Sequence, residues 1–375
     1  MKLLFTTIFL LLNTMYHSLC SAKDKYFLVI GTYTKSQDKG IFVYEFDTKI
    51  GGLKFVSNTE QIKNPSFLTF NKKQDKIYSV GEENGGLVYS FDFDQTTGRL
   101  KLINQQRTNG VHPCYVTLSN DDKYLFAANY SSGNLSSFPI GEKGEIHKID
   151  QLIQHLGKGI KPQQNSAHAH SIINIPNTDQ FLSADLGADK IYRYLYNPQQ
   201  KEILSPYPSQ EYIELEKGVG PRHITFNQTG KIAYVINELE ATVSVLVLND
   251  DKFSEIQQIR MNSDDFSGVN GAADIHISKD GKFLYASNRG SANEIVIFSV
   301  DKKSGKLIRT GNQSTLGKAP RNFAIDPTDN FLLVANQNTN DVIVFKRDKK
   351  TGTLSDTGNK INIGSPVCLI FSKQQ

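Results

Sequence analysis

The chain is short of cysteine. Only three occur in 375 residues, and one of them, Cys20, falls in a leader-like N-terminal segment, which leaves Cys114 and Cys368. Two cysteines do not make a disulfide framework, and both are expected to be buried apolar filler. Charge of one sign is scarce too. The 42 Lys and Arg stand against 38 Asp and Glu, a formal +4 with no basic tract, so nucleic acid is not an expected partner. The apolar run at residues 3–12 is too short to span a bilayer as a mature helix, so no transmembrane segment is expected in the mature chain. It follows Lys2 and leads through a polar stretch into Cys20-Ser21-Ala22, the pattern of a secretory signal peptide cleaved after Ala22. The mature protein is therefore expected to be exported, periplasmic or secreted, with residues 23–375 as a single domain; His17-Ser18-Leu19 is a poor approach to a lipoprotein site at Cys20. No GxSxG elbow, Walker loop or zinc-finger spacing is present, and no cofactor or metal is expected. A parallel α/β fold is disfavoured because no stretch between strands keeps a long 3.6-residue apolar period.

What the chain has in quantity is β-strand chemistry, with 22 Phe and 16 Tyr. It is arranged as a repeat. A first strand recurs as PSFLTFN at Pro65, PCYVTLS at Pro113, HSIINIP at His170, RHITFNQ at Arg222, DIHISKD at Asp274, RNFAIDP at Arg321 and PVCLIFS at Pro366. A second strand follows a polar turn, as in KYLFAANY from Lys123 or KIAYVINE from Lys231, and one such strand without its predecessor, KYFLVIGTY from Lys25, opens the mature chain. A third strand begins at residues 40, 86, 133, 189, 241, 293 and 340, spacings of 46, 47, 56, 52, 52 and 47. A turn such as Thr97-Gly98 or Ser304-Gly305 then leads to a more polar fourth strand. Four strands at this period fit a propeller blade. The first unit lacks its first strand and the last segment is a first strand without successors. Pairing the C-terminal strand into the N-terminal blade completes an all-β, seven-bladed β-propeller and removes an unpaired edge.

The unit GPRHITFNQTGKIAYVINELE, from Gly220, shows where a site would lie. Two strands joined by a turn bring Arg222 and His223, entering the first, beside Asn237 and Glu238, leaving the second. In a ring, such residues from every blade share one mouth of the central channel. At that mouth the sequence gathers His112, His168, His170, His223 and His276, the arginines Arg222, Arg289 and Arg321, and carboxylates including Glu82, Asp185, Glu238 and Asp274. Polar groups converging in a concavity mark a binding site, and burying such charges is costly unless they pair. The opposite mouth is lined by ordinary turn residues.

The motifs HPC at 112, ANYSSGNL at 128, HAH at 168, DLGADKI at 185, GPRH at 220, NELE at 237, AADIH at 272, SNRG at 287 and PRNF at 320 resemble the lactonase-type seven-bladed propellers, which include bacterial 6-phosphogluconolactonase and the fungal carboxymuconate lactonizing enzyme. The resemblance covers nearly the whole mature chain and implies hydrolysis of a small anionic lactone, with lactonization of a muconate-like diacid as the alternative; a non-catalytic binding propeller is the reading from another class. It also implies that Arg222 and Glu238 belong to the active site. By chemistry alone this pair is as well read as a salt bridge between strands or as an ionised base beside its arginine. His170 suits a proton donor or binding group, and the His168/His170 pair would also suit a metal if a third ligand came from another blade. Arg289 and Arg321 suit bidentate capture of a carboxylate or phosphate, or ion pairs with Asp274 or Asp185. His112, His168, His223, Asn129 and Asp274 complete the expected substrate-binding set, although Asn129, Asn288 and Asn336 share one repeat position, which favours a turn role. Asp185 is read mainly as a turn brace.

Overall fold

The structure is a computed structural model and describes residues 24–34, 40–59 and 62–372; the expected signal peptide at 1–22 lies outside the described residues. Within them, the period-2 alternation written seven times over gives seven antiparallel sheets. In six, the strands follow chain order from the channel outward. Blade 2 runs from Leu68–Phe70 to Leu100–Arg107, blade 3 from Pro113–Leu118 to Gln151–Gln154, and blade 4 begins at Ala169–Asn174. Blade 5 runs from Pro221–Phe226 to Lys252–Arg260, blade 6 from Ala272–Ile277 to Leu307–Ser314 and blade 7 from Pro320–Ile325 to Leu354–Asn362. Blade 1 is assembled from both ends of the chain, Pro366–Phe371 lying antiparallel to Lys25–Thr32, with Leu28 opposite Phe371 and Gly31 opposite Cys368. The expected propeller and its closure are both present.

Blade 4 departs from the repeat. Its outer edge is split into Leu204–Pro206 and Tyr212–Glu214, both paired to the same third strand. Pro206, which ends the first piece, and Pro208, just beyond it, have no N–H to offer a ladder, so one continuous strand cannot form there.

Adjacent blades are held by apolar layers between their faces. Leu182, Val235 and Phe253 pack between blades 4 and 5, and Tyr234, Leu284 and Phe298 between blades 5 and 6. The layer between blades 7 and 1 is built in the same way, from Leu28, Phe46, Leu333 and Val344, with the Phe46 and Phe331 rings edge to face at 5.7 Å. Polar bonds repeat across the same seams. The hydroxyls of Tyr234 and Tyr285 donate to the carbonyls of Gly305 and Gly352 in the next blade, at 3.0 and 2.8 Å. Those glycines sit in the turns foreseen before the fourth strands, with φ of +76° at both, where a side chain would be strained.

Closure depends on the last strand. Val367, Cys368 and Leu369 are all buried, and burying two aliphatic side chains alone contributes about 3–6 kcal/mol. That is comparable with the about 5–15 kcal/mol net stability of a typical domain. A chain ending at residue 364 should therefore fail to fold, read as loss of the cooperative thermal transition and gain of protease sensitivity. A truncated chain with a native transition would contradict this account of closure.

Candidate functional site

Two positions of each blade reach the same mouth. The second strands end at Thr32, Gly81, Asn129, Asp185, Asn237, Asn288 and Asn336. The residues that follow them are Tyr33, Glu82, Tyr130, Leu186, Glu238, Arg289 and Gln337. The other position is made by a β-bulge. In blades 3, 4, 5 and 7 the register of the first strand slips after its first pair, at Cys114, His170, Arg222 and Arg321; in blade 6 it slips across Ala273 and Asp274. A bulge leaves one residue unpaired and re-aims it, so two successive side chains, such as those of Arg222 and His223, are both turned toward the axis.

Glu238 is the centre of the arrangement. One carboxylate oxygen lies 2.9 Å from Arg222 Nε and the other 3.0 Å from Arg289 Nη2. Burial opposes its charge, but Arg289, Arg222 and Arg321 outweigh that and hold its pKa below the usual carboxylate range. The contact with Arg222 is an ion pair rather than an aligned hydrogen bond, since the Nε–H does not point at the carboxylate. Arg222 itself is 1% exposed, and its Nη1 donates to Ala273 O and to His223 Nε2. Burial and the neighbouring Arg321 and Arg289 bring its pKa down to about 10, which leaves it cationic at neutral pH. Arg289 is fixed by Nε–H donation to Gly271 O at 2.9 Å and keeps partial exposure. Across the mouth, Arg321 lies 3.9 Å from Glu82 and over the Tyr33 ring at 5.2 Å. Glu82 also accepts from Tyr33 Oη and Ser66 Oγ.

The histidines take different parts from those expected of them. His170 is buried, edge-on to Tyr130 and His223 at 5.4 Å, with Cys114 Sγ 3.7 Å from its Nδ1. Burial, then Arg222, press its pKa well below the ordinary histidine value. It is a neutral imidazole, able to donate one N–H but not to act as a cationic acid near pH 7. His223 is neutral too, lowered to about 4 chiefly by burial and Arg222; its Nδ1–H donates to Asp274 Oδ1 at 2.8 Å. His168 stacks on Tyr130 at 4.6 Å and donates from Nδ1 to Tyr130 O, so it lines the mouth. His112 sits at the rim, with Nδ1 2.7 Å from Ser131 Oγ. Among the described residues no group of three His, Cys, Asp or Glu is disposed around a metal.

Three expectations are corrected. Asp274 is not a ligand-facing carboxylate. It lies below the site, with His223 on one oxygen and His276, Asn322 and Phe323 N on the other, because so deeply buried a charge must be saturated. His276 does not join the other histidines; beyond the bulge, in the straight part of its strand, it opens to the opposite mouth. Asn129 is fully buried, and its amide donates to Asn134 and to Ser136 Oγ of its own blade, the turn role that its repetition implied. Asp185, as read, is a brace, accepting from His168 N, Ala188 N and buried His155. Gly187 beside it leaves no room for a side chain, since a Cβ would meet Ser166 O at 1.8 Å.

Tyr33 is not among the expected site residues. Tyr33 stands at the same repeat position as Glu82 and Glu238, so carrying the repeat register back into the incomplete first blade would have found it. Cys114 is the buried filler expected of it. Its thiol is buried, its pKa raised by that burial, and it donates to His170 O at 3.4 Å, as an inert filler of the floor does.

The family described as lactonase, 7-bladed beta-propeller, matches residues 27–371. A 6-phosphogluconolactonase of Formosa agariphila is 39% identical over 83% of this chain and 89% of its own length. One from Bacillus subtilis is 34% identical over 93% of this chain and 99% of its own. Among solved structures, the periplasmic gluconolactonase of Pseudomonas aeruginosa superposes with a TM-score of 0.90 at 35% identity, over 94% of this chain and 100% of its own. A putative 6-phosphogluconolactonase from Bacteroides fragilis does so with a TM-score of 0.89 at 37% identity, over 94% and 99%. With the repeat, the ring and its charged mouth in place, these matches establish that the chain belongs to the lactonase family of seven-bladed β-propellers.

Proposed function

We propose that the protein hydrolyses a sugar-type lactone, of the class of 6-phosphogluconolactone or gluconolactone, to the open hydroxy acid. The observation that carries this reading is the ionised Glu238 between Arg222 and Arg289, with Arg321 on the other side of the same mouth. The names of the relatives support the substrate class.

The roles follow from exposure. Arg289 and Arg321 reach the mouth and can hold the anionic or hydroxyl-rich end of the lactone. Glu238, partly exposed above Arg222, is the general base toward water. Its lowered pKa makes it a weak base at rest, and a substrate group that draws Arg289 away raises its basicity at the moment water must be deprotonated. Water attacks the ring carbonyl, and the negative charge that develops on the carbonyl oxygen is favoured by the fixed positive field of Arg222 and Arg289. The C–O bond of the ring then breaks, and the proton taken by Glu238 returns to the leaving ring oxygen. Neutral His170 serves as a hydrogen-bond donor to the sugar rather than as an acid, and His168, whose Nδ1–H is taken by Tyr130 O, walls the mouth with its ring.

The substrate is met outside the cytoplasm. The support is the leader pattern at residues 1–22 and the periplasmic origin of a relative. An exported enzyme fits a lactone without phosphate better than one with it.

Glu238→Gln should lower kcat/KM by about 100-fold or more, the range of a lost general base, with the circular dichroism spectrum unchanged; wild-type turnover in this variant would remove the mechanism. Arg289→Ala and Arg321→Ala should each raise KM for 6-phosphogluconolactone by about 10- to 100-fold, the equivalent of about 1.5–3 kcal/mol for a charged hydrogen bond. A smaller rise for gluconolactone identifies the phosphate as their partner. Failure to open either lactone, tested beside muconates, would favour the lactonizing or the non-catalytic reading. Expressed in a bacterial host with an outer membrane, the mature protein should be recovered from the periplasm with Lys23 as its first residue, and a cytosolic chain retaining Met1 would refute export.

A further inference from the structure

The channel is closed at mid-height. Phe67 of blade 2 stacks on Tyr115 of blade 3 at 4.0 Å, and His223 of blade 5, reaching across the axis, meets both rings edge-on at 5.7 and 5.4 Å. This plug of rings lies between the two mouths. One line of polar groups does cross it. His276 Nε2 lies 2.9 Å from Asp274 Oδ2, Asp274 Oδ1 lies 2.8 Å from His223 Nδ1, His223 Nε2 lies 3.1 Å from Arg222 Nη1, and Arg222 Nε lies 2.9 Å from Glu238. Side-chain exposure along the line is 41, 3, 7, 2 and 23%. Only the two ends meet solvent, and they do so at opposite mouths.

The far end opens into a cavity of about 380 Å³ lined by His276, Lys279, Ala324, Asp326, Asp329 and Phe371. His276 is seated edge-on against Phe323 at 4.8 Å. The charged groups around it are accounted for. Asp274 is on its own strand, Lys279 is in the turn after it, and His223 faces the other side of Asp274 from blade 5. From blade 7, Asp326 is saturated by Thr328, Asn330 N and Phe331 N, and Asp329 is paired with Arg347 at 2.9 Å. Asp274 is therefore the carboxylate that bonds His276.

We propose that His276 is a positioning residue of the lactone site, coupled from the opposite end of the channel through Asp274, His223 and Arg222 to Glu238. When protonated, His276 balances the buried Asp274. The mouth then keeps the charge of three arginines against Glu82 and Glu238. When His276 is neutral, Asp274 is uncompensated and the cluster as a whole loses one positive charge. Burial opposes the proton on His276, but Asp274 outweighs this and holds the pKa above the ordinary histidine value. The sign follows. The cationic form prevails below that raised pKa and is lost as pH rises through it, so an anionic lactone is bound more weakly on the alkaline side. At a separation of roughly 15 Å and an effective dielectric constant of about 25, one charge changes affinity by about 3- to 5-fold.

The kinetic consequence rests on the lactonase reading, so a second measurement is chosen that does not. KM for 6-phosphogluconolactone, measured from pH 5.5 to 8.5 with spontaneous hydrolysis subtracted, should rise about 3- to 5-fold in the wild type. The rise should be absent in His276→Gln, which keeps a donor to Asp274 without a titrating charge. Separately, NMR titration of His276 in unliganded protein should show a lower pKa in Glu238→Gln than in the wild type, because coupling is reciprocal and a lost anion at one end disfavours a cation at the other. Superimposable KM profiles with an active enzyme, or a His276 pKa that ignores the change at Glu238, would overturn the coupling. A shifted pKa in a protein that turns over no lactone would retain the coupling and reject the lactonase reading.

Discussion

The pairing of residues 366–371 with residues 25–32 is the contact on which the remainder of the structure depends. A propeller blade presents apolar side chains on both faces, and each layer between blades needs a partner on either side. Without the closing strand, the layers that hold Leu28, Phe46 and Leu369 on one side and Val29, Val43 and Cys368 on the other would face water. Closure also fixes the width of the channel. That width brings Phe67 and His223, from blades that are not neighbours, into ring contact at the axis.

The site exploits what closure makes possible. Three arginines gathered at the top of a channel would repel one another in an open arrangement, and burial would penalise each of them. Here Glu238 bridges Arg222 and Arg289, Glu82 faces Arg321, and the neutral imidazoles of His170 and His223 fill the space between. The pairing is incomplete by one positive charge, three against two, which suits an anionic or strongly polar substrate. The same requirement explains Asp274. A carboxylate sealed beneath the plug is tolerable only because both oxygens are fully bonded, and the groups that bond it link the two mouths.

The bulges were illegible in the sequence. Nothing in PRHITF or PRNFAI says that the register slips after the first pair, since a bulge is set by the twist of the inner strand and by its neighbours around the axis. Strict alternation from Asp274 to His276 places both side chains on the same face of the sheet, and both are bonded to each other as alternation requires. What alternation could not say is how far down the channel each would lie, and so His276 was assigned to the wrong mouth. Asp185 was legible as a brace, and the polar residue that ends six of the seven second strands pointed Asn129 the same way, although it was also counted in the substrate-binding set.

Sequence alone determined the number of blades, their order, the strand that closes the ring and most of the residues around the charged mouth, because these follow from short-range periodicity and from turn residues whose conformational demands are local. Tertiary structure alone decided which of those residues face a ligand and which are sealed beneath it, that His170 and His223 are neutral, and that His276 opens to the other side. Depth along the axis, exposure and protonation state are set by contacts between chain segments about 50 to 150 residues apart, such as Arg222 with Ala273, His223 with Asp274 and Phe67 with His223. Their distances are fixed only when seven sheets meet around one axis.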